Sequence, residues 1–368
     1  MENHLVSFFL ASIIYGFPLM VIYKKEFARS YQTILFLYFF FLVLIFFKPY
    51  VNASKFANFV AYENITGEIN IPTFYLNSIL LYPIYFFIKS KEIVFGLNAF
   101  LSFLVSLIAY NSTKVKSNKK HYLSLNFLLA ALFIPNIYYS FFGLRDQLIL
   151  IILYFLSKSF IHKNINSIVI LSLLIIVIRP ELIILVGLFF LWEFLSNKSN
   201  TTKIIYLVFI VVSGFLLFPY LGYLLGIGII DDPAELIKFS ENRYLRHASE
   251  IAGGGSHILG GNLFSLNFFQ RFPLQLLAFF INPLPIDFKN ISYLVPFIDS
   301  LVFIYFFRKF INIKNNNSNK FTNLFLAFIS LIIILSIFNS NYGNLFRLRY
   351  PFYGIMFGAF RIYNTANR

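Results

Sequence analysis

Long apolar runs separated by short polar connections dominate the chain. Runs near the ~20 residues that cross a bilayer as a helix fall at 5–23, 31–47, 93–110, 123–140, 145–161, 166–178, 182–197, 204–226, 291–307, 322–338 and 349–363. Two further apolar stretches, 74–88 and 272–284, are short and contain or adjoin prolines. They suit interfacial or re-entrant helices better than full spans. The short alternating segments of an outer-membrane barrel are absent. The pattern predicts an all-α, polytopic integral membrane protein of about eleven transmembrane helices, a single transmembrane domain over 1–368.

The polar connections give the spans a direction. Five are rich in lysine: "KKEFAR" (24–29), "KVKSNKK" (114–120), "KSFIHK" (158–163), "NKSNTTK" (197–203) and "RKFINIKNNNSNK" (308–320). The positive-inside rule places such loops in the cytoplasm. Eleven spans with an outside N-terminus put all five on one side, together with the basic C-terminus. Counting 74–88 as a span would move "KVKSNKK" to the other side, so it is not counted. The outer side then holds 48–92, a large loop over 227–290 carrying amphipathic or re-entrant helices, and three tight turns at 143–147, 178–182 and 339–351.

Composition agrees with this class. The chain is 59% hydrophobic and 12% charged, with mean hydropathy +0.75, too apolar for the surface of a soluble domain. The formal charge of +15 is mainly a property of the inner loops. With no cysteine, neither disulfides nor thiolate metal sites are available. "MENHL" lacks a basic n-region, so the first apolar run is expected to be a retained span rather than a cleaved signal.

Charge type separates the two sides further. Seven of the eleven arginines fall on the outer side: Arg145, Arg179, Arg243, Arg246, Arg271, Arg347 and Arg349. Topology signalling works against that placement. Arginine's planar five-donor fork suits phosphate or carboxylate, so arginines at the outer ends of spans point to an anionic ligand where head groups meet water. The competing reading of each is an anchor that snorkels to the interface. Asp146 and Glu181 follow two of these arginines closely, but neighbours one or two apart on a helix do not face each other. Gly343 and Pro351 bracket Arg347 and Arg349, predicting a broken helix on which the two side chains share a direction.

In the 227–290 loop, Asp232, Pro233 and Glu235 fit an N-cap, first helical residue and capping-box partner. The helix they begin would carry Arg243, Arg246 and His247 near one face. "AGGGSHILGGN" (252–262) follows. Its glycines allow close approach to a ligand, or form a slack linker. It lacks the P-loop pattern, so no nucleotide site is expected. His247 and His257 have the chemistry of a general base near neutral pH; each also reads as a solvated loop residue. Asp299, near the middle of the 291–307 span, is an intramembrane carboxylate and a functional candidate, which Ser300 and nearby backbone would alternatively satisfy.

Four stretches taken together resemble a known family. In order, "SFFGLRDQLILIILYFLSKSF", "IVIRPELIILVGLFFL", "FFINPLPIDFKN" and "NYGNLFRLRYPFYG" are similar to the O-antigen and capsule repeat-unit polymerases called Wzy, over about residues 125–360. The resemblance implies an enzyme of the bacterial inner membrane with its active site at the periplasmic face. It would transfer a growing glycan from undecaprenyl pyrophosphate to an incoming lipid-linked repeat unit. The activated pyrophosphate linkage would make cofactor, metal and nucleotide sugar unnecessary. Partners implied are the lipid-linked glycan, membrane lipid, a flippase and a chain-length regulator, with no nucleic acid. The arginines would stabilise the leaving pyrophosphate, Arg145, Arg179, Arg347 and Arg349 foremost, with Arg243, Arg246 and Arg271 in support. His257, His247 or Asp299 would activate the acceptor hydroxyl.

The segment 48–68 offers Glu63 and Glu68 but no aspartate, unlike many membrane glycosyltransferases of the related C-type fold. The rival readings are a flippase for the same lipid-linked unit, an O-antigen ligase or acyltransferase, and a non-catalytic membrane subunit. A flippase would need its cations in a central cavity open to both sides, whereas these arginines lie at one face.

Overall fold

The structure is a computed structural model. It describes residues 92–113, 145–179, 182–196, 198–199, 201, 268–281, 284–285, 294–315, 319–337 and 342–366. The expected spans at 5–23, 31–47, 123–140 and 204–226, the stretch 74–88 and most of the 227–290 loop lie outside the described residues.

Among the described residues there are eight helices and no strand. They are α1 (Glu92–Thr113), α2 (Arg145–His162), α3 (Ile165–Ile178), α4 (Ile183–Ser196), α5 (Phe268–Ile281), α6 (Leu294–Asn315), α7 (Asn319–Ile337) and α8 (Tyr342–Ala366). One of them, α7 across Asn319–Ser336, is long and apolar enough to cross a membrane. The apolar helices α3 and α4 have 14 residues each, about 21 Å at the helical rise of 1.5 Å per residue. The proline-containing stretch expected to be interfacial or re-entrant is α5, also 14 residues long with Pro273 inside it.

Local chemistry sets the turns. Between α2 and α3, Lys163 adopts a left-handed φ of 56°, Lys163 N–H donates to Phe160 O and Asn164 N–H to Ser159 O. That pair of bonds is the Schellman closure of a helix C-terminus. Asn164 then caps α3, its side chain accepting from Ser167 N–H at 3.2 Å, so two residues turn the chain around. The far end of α3 stops at Arg179, the residue before Pro180 in the sequence, as the clash of a proline ring with the preceding residue's helical conformation requires.

Contacts fix the helix directions. Leu150 and Tyr154 of α2 meet Gly354 and Gly358 of α8 in the same order, so the two run parallel. The aromatic contacts Phe303–Tyr353 and Phe306–Phe360 align α6 with them. Asn364 donates to Ser112 O, bringing the end of α1 beside the end of α8. α3 returns against α2, and α7 against α6 and α4, as the Phe310–Phe325, Trp192–Ser330 and Asn323–Glu193 contacts show.

The core is built around α8, buried without interruption from Leu348 to Phe360. Glycines spaced four apart let two helix backbones approach closely. A Cβ on Gly358 would stand 2.7 Å from Tyr154 O, and one on Gly354 would overlap Leu150 O. The expected break between Gly343 and Pro351 does not occur: α8 is continuous through Pro351. An internal proline sacrifices one backbone bond and costs about 3 kcal/mol. Here that cost is offset by burial of the surrounding turns against α2, α5 and α6.

Charge divides along the bundle axis. Lys163, Lys198, Arg308, Lys309, Lys320 and Arg361 mark the end where α2, α4, α6 and α8 finish. Lys163 pairs with Glu193 there. Large apolar side chains remain exposed on the outside, most clearly Ile165, Val169, Ile170, Leu173 and Ile176 of α3.

Candidate functional site

The opposite end holds two buried ion pairs, one on each side of α8. Asp146 is the second residue of α2, and Arg179 caps the C-terminus of the antiparallel α3. The hairpin therefore brings together two residues 33 positions apart, and Arg179 Nη1 donates to Asp146 Oδ1 at 3.0 Å. Asp146 is fully buried and Arg179 nearly so. Helix dipoles reinforce the arrangement, with an acid at an N-terminus and a cation at a C-terminus. Beside this pair, Gln147 Nε2 donates to Ser102 of α1, and the Gln147 side chain also bonds to the buried Tyr350.

The second pair joins α6 and α8. Arg349 Nε stands 2.9 Å from Asp299 Oδ2, both side chains being fully buried. The angle is poor for a directed hydrogen bond, so the contact is ionic in character. Directed bonds surround it. Tyr353, one turn along α8 from Arg349, donates to Asp299 Oδ1 at 2.8 Å. Arg349 Nη1 donates to Ser300 Oγ at 2.6 Å, and Nη2 to Pro296 O at 3.3 Å. Longer bonds of 3.4 Å run from Nη1 to Phe279 O and Phe280 O at the end of α5.

The predicted residues thus separate into groups. Arg179, Arg349 and Asp299 come together around α8, but the two arginines meet aspartates. Arg179 and Asp146 neutralise each other across two helices. Ser300 does not satisfy Asp299: it accepts from Arg349 and donates to Pro296 O. Arg145 is the first residue of α2 and Arg347 the sixth of α8, so their backbones belong to the same end, whereas Arg271 is the fourth residue of α5, about two helical turns before the carbonyls that meet Arg349. α8 is continuous from Arg347 to Arg349, so the expected break that would let the two side chains share a direction is not formed. Arg243, Arg246, His247 and His257 lie outside the described residues.

Sequence reasoning passed over Tyr353, Tyr350, Gln147 and the glycine pair. Two signals were available. Tyr353 follows Arg349 by four residues, hence on the same face, and Gly354 and Gly358 have the spacing of a close helix contact.

Chemically, each ion pair is formally neutral and buried. An incoming anion would have to displace a carboxylate from Arg179 or Arg349, leaving that carboxylate buried and unpaired, at a cost of about 3–5 kcal/mol. On the described helices, Arg145, Arg179, Arg347 and Arg349 stand at this end with Asp146 and Asp299, and Glu92 begins α1. No family model matches the sequence, and neither the curated proteins nor the solved structures provide a match.

Proposed function

We propose that the chain is a polytopic inner-membrane glycosyltransferase that polymerises undecaprenyl-pyrophosphate-linked repeat units into O-antigen or capsular polysaccharide at the periplasmic face. One observation carries this reading. The four stretches that resemble the polymerases are distant in sequence, yet they meet at one end of the bundle. The start of α2 and the end of α3 meet through Asp146 and Arg179, and the end of α5 and the first turns of α8 meet through Arg349. The lysines lie at the other end, which the positive-inside rule assigns to the cytoplasm. The exposed apolar face of α3 suits contact with lipid.

In this reading Arg145 and Arg347 provide positive charge for the leaving pyrophosphate. Arg179 and Arg349 shape the site through their aspartates. The acceptor hydroxyl is deprotonated by His247 or His257 of the large outer loop. Asp299 is less suited to that task, because its carboxylate is engaged by Arg349 and Tyr353.

Deleting the gene and displaying the cell-surface glycan on a gel tests the proposal. A ladder collapsed to a single repeat unit is expected. Loss of even that unit identifies a flippase, and full-length chains left unattached to their final acceptor identify a ligase.

A further inference from the structure

We infer that Arg349 is a positioning residue for this site: its guanidinium closes the C-terminus of α5 and ties that helix to α6 and α8. The inference rests on the polymerase reading only for its activity measurement; the docking of α5 is tested separately.

The last carbonyls of an α-helix have no partners within the helix. At α5 two of them, Phe279 O and Phe280 O, accept from one guanidinium nitrogen of Arg349. The same side chain reaches Asp299, Ser300 and Pro296 on α6. Three helices therefore converge on one fully buried cation. Lysine has no planar fork and would not serve all these acceptors together. The chain context gives the tie its importance. α5 lies near the end of the 227–290 segment and its last turn stands at the site, so fixing that turn sets how the helix is docked there. Apolar packing completes the dock: Phe279 meets Phe303 of α6 and Phe352 of α8, with ring centroids 5.8 Å apart in both cases.

The chain has no cysteine, so an introduced pair is uniquely addressable. Phe280 and Phe307, whose rings lie 5.1 Å apart across α5 and α6, are each replaced by Cys in the full-length protein. The pair is treated in membranes with a short bifunctional thiol reagent. Cross-linking within the chain should be efficient with Arg349 present and fall at least fivefold with Arg349→Ala. Arg349→Lys, which keeps the charge beside Asp299 and so guards against a folding failure, should also reduce it. Cross-linking in cells before assay should restore long glycan chains to the Arg349→Ala protein.

Undiminished cross-linking in both variants would overturn the inference. So would full cross-linking of the Arg349→Ala protein without recovery of chain length, since Arg349 would then act on the substrate itself. If the gene deletion leaves glycan length unchanged, the polymerase reading fails, while the cross-linking yields still decide whether Arg349 holds α5.

Discussion

Arg179 and Asp146 meet at 3.0 Å across the α2–α3 hairpin, with Asp146 fully buried. Removing one member of a buried pair strands the other, at about 3–5 kcal/mol. Arg179→Ala and Asp146→Ala should each lower the thermal midpoint of the detergent-solubilised protein by several degrees. Arg179→Ala with Asp146→Asn should recover part of that loss. Additive losses in the double variant would show that the two residues act independently.

Gly354 and Gly358 lie against α2 with no room for a side chain. Overpacking a tight contact costs about 1–3 kcal/mol or more. Gly358→Ala should therefore destabilise the protein clearly, and Gly358→Leu should abolish stable expression. Gly187 of α4 is the internal control, since a Cβ there meets nothing within 4 Å. Gly187→Ala should be neutral or stabilising by up to about 1 kcal/mol, through helix propensity. Thermal unfolding in detergent compares all three.

Tyr353 donates to the Asp299 carboxylate at 2.8 Å. A hydrogen bond to a charged group contributes about 1.5–3 kcal/mol. Tyr353→Phe should cost that much in the wild-type background and little when Asp299 is already Asn. A double-mutant cycle on unfolding measures the coupling; its absence would remove Tyr353 from the network.

Arg145 and Arg347 are assigned to the pyrophosphate under the proposed function. Arg145→Ala and Arg347→Ala should shorten the glycan ladder severely without reducing protein in the membrane. Loss of one such electrostatic group is worth about 10²–10³ in rate. Lysine at either position should restore activity in part, because it retains charge but not the fork. Normal chain length in Arg347→Ala at normal expression would end its assignment.

The orientation has its own test. Ser199 and Pro285 are exposed at opposite ends of the described bundle. In spheroplasts, a membrane-impermeant thiol reagent should label Pro285→Cys directly and Ser199→Cys only after permeabilisation. The reverse pattern would place the arginine-rich end in the cytoplasm.

Much of the local structure was legible in the sequence. The apolar runs at 145–161, 166–178 and 322–338 correspond to α2, α3 and α7 within a few residues, because an apolar run bounded by polar and proline-containing connections satisfies its own backbone locally as a helix. Asn164 and Pro180 bound α3 through chemistry confined to adjacent residues. The lysine loops and the arginine-bearing ends also follow from residue order alone.

Pairing was decided by tertiary structure. Arg179 finds Asp146, and Arg349 finds Asp299, across 33 and 50 positions of chain, and which charge answers which depends on how helices pack rather than on spacing. Pro351 shows the same limit in the backbone. Local propensity reads as a break, whereas burial of α8 on several sides outweighs one lost hydrogen bond and keeps the helix whole. Within that continuous helix Arg349 enters a buried ion pair with Asp299. The sequence by itself put Arg145, Arg179, Arg347 and Arg349 at this end of the protein; the packing around α8 determined that Arg179 and Arg349 are held by carboxylates.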